Sequence, residues 1–154
     1  MRVYAMIIAC LLLSVPALAT ESNAAETKIS KKVITSPNAP QAVGSYSQAI
    51  QAGSFLFVSG AVGMDAAGKF VEGGVAAEAE QAMNNIDSLL KAAGTSFDNV
   101  VKTTIFLIDM ADFKAVNEVY GKRFSKDFPA RSTAAVQGLP LNAKVEIEVI
   151  AIIP

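Results

Sequence analysis

Histidine is absent from all 154 residues, and the one cysteine, Cys10, falls in an apolar opening segment. Zinc centres, Ser-His-Asp triads and Cys-His pairs are therefore unavailable. Carboxylates, amines, guanidinium, phenol, hydroxyls, amides and backbone remain for chemistry. Within that set Arg131 stands out, in "FPARSTAAVQGLP", Phe128 to Pro140. Pro129 disfavours helix at Phe128 and delivers Arg131 to the start of a strand. Its planar fork of donors suits a carboxylate bidentately. That carboxylate is either a protein acid, with Glu146 and Glu148 as candidates, or part of a ligand.

Four further positions sit uneasily with a purely structural account. Glu146 shares a strand face with Ile150 and Ile152, as a solvated strand end or as an acid held for use. Asn117 stands four residues after Phe113 and three before Tyr120, so it points with the apolar stripe of its helix. There its amide needs partners, and helix-to-strand hydrogen bonding is the plain explanation. Tyr46 opens a strand directly after Gly44-Ser45, where a core-edge ring with a wet hydroxyl is ordinary. Ser59-Gly60 ends a strand, either as a simple turn or as a source of free backbone N–H donors.

The elements that position these residues follow from local pattern. Val33 to Thr35 reads as a short strand, stopped by the turn cluster Ser36-Pro37-Asn38-Ala39-Pro40. Tyr46 to Gln51 and Ser54 to Ser59 form a hairpin around Ala52-Gly53. "SGAVGMDAAGKFVEGG" reads as loop. From Val75 to Ala93 apolar residues recur at helical spacing opposite Glu78, Gln81 and Asn85, with Gly94 at the C-terminal glycine position. "NVVKTTIFLI", Asn99 to Ile108, is a strand. Asp109 caps a second helix, with Asp112 three residues on, and that helix runs to about Phe124. Ser132 to Val136 and Lys144 to Ile153 are the last strands.

The order β-β-β-α-β-α-β-β predicts an α+β layer, a mixed sheet with two helices on one face. The last strand carries Val145, Ile147 and Val149 on one face, and Ile150 and Ile152 with Glu146 and Glu148 on the other. Both faces expect burial, while one helical layer covers one. The other face needs a second copy of the chain.

Composition sets the outer limits. With 52% apolar and 18% charged residues the chain can bury a core, and its length suits one domain. A net charge of −1 lacks the basic footprint of a nucleic-acid binder. "MRVYAMIIACLLLSVPALA" has a positive charge, an apolar run and an Ala17-Leu18-Ala19 ending, the parts of a signal peptide over residues 1–19. Pro16 breaks the run short of a membrane span. An uncleaved anchor and lipidation at Cys10 are the rival readings. Cleavage leaves a flexible lead over 20–32, a domain over 33–154 and no cysteine. That suits an oxidising compartment, periplasmic or secreted, with no membrane association.

"NAPQAVGSYSQAI", "FLFVSGAV", "VVKTTIFLIDMADFKAVNEVYGKRF", "FPARSTAAVQGLP" and "KVEIEVIAI" together resemble, in order and spacing, the RidA (YjgF) family of imine/enamine deaminases. The resemblance spans roughly Ile34 to Ile152. It implies a chorismate-mutase-like fold, a homotrimer with active sites in clefts between subunits, 2-imino and 2-oxo acids as ligands, and no cofactor or metal. Residue by residue, it implies that Arg131 pairs with the substrate carboxylate and that Glu146 positions or activates water. Tyr46 and Asn117 correspond to pocket residues, and Ser59 and Gly60 to the loop that closes on the ligand. Thr133 takes the place of a cysteine common in the family; its backbone can still hold water or carboxylate, without thiol chemistry. Ser45 replaces a frequent proline. These two departures keep open a non-catalytic trimer that binds small carboxylates in its clefts. A ribonuclease role is disfavoured by the negative charge.

Overall fold

The computed structural model describes residues 30–154. The expected signal peptide over 1–19 and most of the expected 20–32 lead lie outside the described residues. Eight elements follow in the expected order: β1 (Lys31–Ile34), β2 (Ala49–Ala52), β3 (Phe55–Val62), α1 (Val75–Ala92), β4 (Val100–Leu107), α2 (Phe113–Gly121), β5 (Ala130–Ala135) and β6 (Val145–Ile152). They form a six-stranded sheet in the order β1-β2-β3-β6-β4-β5. Only β4 and β5 run parallel, as the crossover through α2 between them requires.

One face of the sheet carries both helices. Leu56, Val58, Ile105, Leu107, Val145, Ile147 and Val149 are buried there against Ala82, Met83, Ile86 and Leu90 of α1 and Val116 and Tyr120 of α2. Glycine ends α1 where the pattern predicts it, with Gly94 at φ +79, a conformation other residues adopt only with strain.

The other face has no helix. Register aligns Val33 with Ile50, Ile50 with Phe57, and Phe57 with Ile150, so an apolar row crosses four strands. Phe55 and Ile152 form a second pair beside it. Phe55, Phe57, Val33 and Ile152 are all exposed. This is the uncovered face that the β6 pattern predicts.

The sequence-based expectations need correction at several points. Tyr46 does not open a strand, because β2 begins at Ala49 and Tyr46 lies in the bend before it. Ser59-Gly60 does not end β3. The strand slips register between Val58 and Ala61, then pairs on with Ile147 and Glu146 through Ala61 and Val62. A bulge of this kind re-aims the residues at the slip. Asp109 caps a short 3-10 turn, Met110–Asp112, through the Ala111 N–H at 2.9 Å, and α2 itself starts at Phe113 and stops at Gly121. Glu78 and Asn85 are not on a solvated face; both are buried. Glu78 accepts the Lys144 N–H at 2.8 Å, and the Asn85 amide donates to the Val62 and Met64 carbonyls at 3.2 and 2.8 Å. Each closes backbone groups at the end of β3 or the start of β6 that would otherwise be unpaired.

Candidate functional site

The residues singled out in the sequence divide between two places. The first is a cleft of about 840 Å³ that reaches from Glu146 and Glu148 on the helix-free face to Asn85 and Leu89 of α1, bordered also by Tyr46, Ser59, Gly60 and Leu141. Glu146 extends from β6 over Gly60. A β-carbon on Gly60 would overlap the Glu146 Oε1 atom. The bulge and the missing side chain at Gly60 thus make room for this carboxylate. Burial, and next the like charge of Glu148 two residues on, push the Glu146 carboxyl above its ordinary value. Among the described residues no lysine or arginine lines the cleft.

Ser59 and Gln48 build the wall opposite Glu146. The Ser59 hydroxyl donates to the Ser47 carbonyl at 2.7 Å and its N–H to the Gln48 carbonyl at 3.0 Å, tying the segment after Tyr46 to β3. Gln48 is buried, and its amide makes a clamp. Its Oε1 accepts the Ser36 N–H at 2.9 Å, and Nε2 donates to the carbonyls of Ser36, Ala39 and Pro40 at 3.2, 3.3 and 2.7 Å. Tyr46 stands on the rim, 53% exposed.

The second place lies on the helix side at the β5 edge. Arg131 aligns with Thr103, which aligns with Val149 on the buried face. Its guanidinium lies 4.7 Å from the Tyr120 ring centre and 5.6 Å from that of Phe113. The Tyr120 hydroxyl is fixed in turn by Thr103 at 3.2 Å. Burial raises the Tyr120 pKa, against smaller opposing effects of the Thr103 hydrogen bond and the Arg131 charge. The ring therefore stays a neutral platform for the cation. Among the described residues Arg131 forms no ion pair. Neither Glu146 nor Glu148 of the same chain pairs with it. Thr133, two residues along β5 on the same face, has a buried Oγ1 with no hydrogen-bond partner among the described residues.

Asn117 is exposed, against expectation, and no helix-to-strand hydrogen bond holds it. The helix turns Val116, Val119 and Tyr120 inward, which leaves Asn117 on the flank. It shares that flank with Phe113 and Tyr120, the two rings that hold Arg131. Gln48 is a contributor that sequence reasoning missed, and Glu148, weighed there only as a partner for Arg131, lines the cleft instead. Glu148 is signalled by its two-residue spacing from Glu146; a lone glutamine before a strand carries no comparable signal.

Among the described residues no cluster of three or more acids, cysteines or histidines is placed to hold a metal. No described helix is long and apolar enough to cross a membrane.

Comparison with known proteins bears on the same span. The protein family described as Endoribonuclease L-PSP matches residues 36–153. The chain is 50% identical over 126 residues to Reactive Intermediate Deaminase A, chloroplastic, of Arabidopsis thaliana, covering 81% of this chain and 67% of that one. It is 49% identical over 127 residues to 2-iminobutanoate/2-iminopropanoate deaminase of Mus musculus, covering 82% and 94%. The crystal structure of yeast Mmf1 superposes with a TM-score of 0.79 at 40% identity, covering 81% of this chain and all of that one. On this match across nearly the whole described domain, the chain belongs to the Endoribonuclease L-PSP family, the RidA (YjgF) family to which its motifs point.

Proposed function

We propose that the protein is a cofactor-independent deaminase that hydrolyses reactive 2-imino acids, such as 2-iminobutanoate and 2-iminopropanoate, to 2-oxo acids and ammonia. The observation that carries this reading is Arg131, a cation held on two aromatic faces with no acid to pair with among the described residues. An arginine so held suits a planar carboxylate from outside the chain. The cleft around Glu146 has the converse composition among the described residues, carboxylates without a cation.

Arg131 and Glu146 lie on opposite faces of the sheet, so a site containing both takes them from two protomers. Arg131, Thr133 and Asn117 of one copy face Tyr46, Gly60 and Glu146 of the next. An interface that joins two different surfaces repeats head to tail and closes into a ring when its rotation permits, in keeping with the trimer that the family resemblance implies. The apolar row through exposed Val33 and Phe57 and half-buried Ile50 and Ile150 offers such a ring its buried surface.

In such a site Arg131 fixes the substrate carboxylate and directs the C=N carbon toward Glu146. Orientation of this kind lowers a barrier by several kcal/mol, on the order of the 7–11 kcal/mol limit for well-placed reactants. Glu146, as carboxylate, takes a proton from water while the water oxygen bonds to the imine carbon. The C=N π electrons pass to nitrogen, which takes that proton back from the Glu146 carboxyl. The hydroxyl of the tetrahedral adduct gives a second proton to the nitrogen as the C–N bond breaks, so ammonia leaves and the C=O bond forms. A carboxyl whose pKa is raised is a stronger base for this step than an ordinary one.

The family's description also names a nuclease activity. A phosphate backbone calls for a basic surface, and a cleft lined by Glu146 and Glu148 without lysine or arginine repels it. Residues 1–19 read as an export signal, so we place the mature protein outside the cytoplasm; mass spectrometry of its N-terminus tests the cut after Ala19.

The deaminase reading is tested with imines made in situ by an L-amino-acid oxidase, following the 2-oxo acid. Acceleration by the wild type that Arg131→Ala loses supports it. No acceleration for any imine, or full activity in Arg131→Ala, rules it out.

A further inference from the structure

Leu141 has no part in the chemistry above, yet it is held in an unfavourable state beside it. Its backbone is left-handed, φ 56 and ψ 24, a conformation suited to glycine or asparagine, and Asn142 follows at φ 62. Its side chain is 62% exposed. Neither feature favours folding, and their pairing at one residue points to use. The turn that carries it is anchored. The Asn142 and Ala143 N–H groups donate to the Leu139 and Pro140 carbonyls at 3.3 and 3.1 Å. Directly below, Ala143 is buried and the Lys144 N–H is held by the buried Glu78 carboxylate at 2.8 Å.

The anchored turn borders the Glu146 cleft. Val43, 86% exposed, and Tyr46, 53% exposed, border the same cleft. Scattered apolar side chains on a surface carry no meaning, but three exposed ones around a single cleft do. Among the described residues of one chain, the polar part of the lining includes two carboxylates and no cation. It opposes a ligand whose side chain is itself acidic.

We infer that Leu141 is a specificity-determining residue, the apolar lip that receives the substrate's side chain, so that the cleft prefers 2-imino acids with aliphatic or aromatic side chains and rejects acidic ones. The inference rests on the deaminase reading of the same cleft. It adds which imines are taken and which residue chooses them. Arg131 and Glu146 act on the carboxylate and the imine carbon, common to every 2-imino acid. They leave discrimination to whatever surrounds the side chain. A wall of matched apolar shape discriminates by about tenfold or more between side chains that fill it and those that do not.

The test uses the full-length protein with imines generated by amino-acid oxidases from leucine, alanine and glutamate. Two variants separate side chain from backbone. Leu141→Asn keeps a residue that tolerates the left-handed turn and removes the apolar surface; Leu141→Met keeps that surface. Wild type is expected to act on the leucine imine in preference to the glutamate imine. Leu141→Asn is expected to lose about tenfold in kcat/KM on the leucine imine and little on the alanine imine, while Leu141→Met keeps the wild-type preference. Equal losses on the leucine and alanine imines, or an unchanged ratio in Leu141→Asn, overturn the inference. Calorimetry with 4-methyl-2-oxopentanoate and pyruvate gives a readout independent of turnover. A preference for the larger acid that Leu141→Asn abolishes, without hydrolysis of any imine, defeats the deaminase reading and upholds the apolar lip. Hydrolysis indifferent to side chain does the reverse.

Discussion

Arg131 and Glu146 stand on opposite faces of one sheet. Arg131 is in register with Thr103 and Val149 on the helix side, and Glu146, three residues from Val149, faces the other way. No side-chain rotation within one chain brings them to a common ligand. A split site predicts complementation. Arg131→Ala and Glu146→Gln are each expected to be inactive alone. When the two are unfolded together and refolded as mixed rings, about a quarter of the interfaces join an intact Arg131 to an intact Glu146. Recovery of about that share of activity is the expected result. A mixture as inactive as its parents places both residues in one chain's site.

Gly60 sets the place of the Glu146 carboxylate, since a β-carbon there overlaps Oε1. Gly60→Ala should leave the fold intact, because the overlapping atom is the end of a flexible side chain. The carboxylate must move by about an ångström, a displacement that costs about a hundredfold in rate. The loss is expected in kcat more than in KM, because Arg131 still binds the substrate carboxylate. Steady-state kinetics on one imine separates the two, and an unaltered kcat shows that Glu146 acts from elsewhere.

The raised pKa of Glu146 gives activity an acid limb. Its base form is the carboxylate, so kcat/KM should rise with pH through the folded-state pKa. Burial is the larger cause and Glu148 the second. Lys102, which lies in register with Ile150 on the same face, donates its ammonium to Ser132 at 2.8 Å. Glu148→Gln removes one like charge and should move the acid limb to lower pH. Stability follows the opposite sense. The folded chain holds the Glu146 proton more tightly than the unfolded chain, so this contribution is present at low pH and is lost as pH rises through the folded-state pKa. A limb that stays in place in Glu148→Gln assigns the whole shift to burial.

The order of elements was legible because its signals are local. The 3.6-residue period of α1 and the β-branched run of β4 each lie within one segment. What stayed hidden depends on distant partners. Ala61 and Val62 read as loop beside two glycines, and their pairing with Ile147 and Glu146 extends β3. Glu78 and Asn85 read as surface because they are polar, and backbone groups of Lys144, Val62 and Met64 bring them inside. The candidate site divided in the same way. Arg131 was conspicuous for its type and its neighbours. Its platform of Tyr120 and Phe113 and its separation from Glu146 emerge from the sheet order, in which β6 and β4 precede β5.

Gln48 offers the sharpest test of how the cleft wall is held. Its amide joins four backbone groups of residues 36–40, and among the described residues those residues make no other long-range hydrogen bond, though Ala39 also packs in the core. Gln48→Leu fills a similar volume but leaves the Ser36 N–H and three carbonyls without this partner. Burying unsatisfied groups of this kind destabilises by about 1–3 kcal/mol each, though water entering at Pro40 relieves part of it. A fall in Tm is therefore expected. Loosening of the wall should also raise KM for an imine at a temperature where the variant remains folded, because Ala39 and Pro40 line the cleft beside Tyr46. Gln48→Glu retains the acceptor to Ser36 and loses the donors, so it should keep less of the wall than wild type and more than Gln48→Leu. If both variants lose stability but keep the wild-type KM, the clamp serves the fold alone and the wall is held by the Ser59 to Ser47 hydrogen bond.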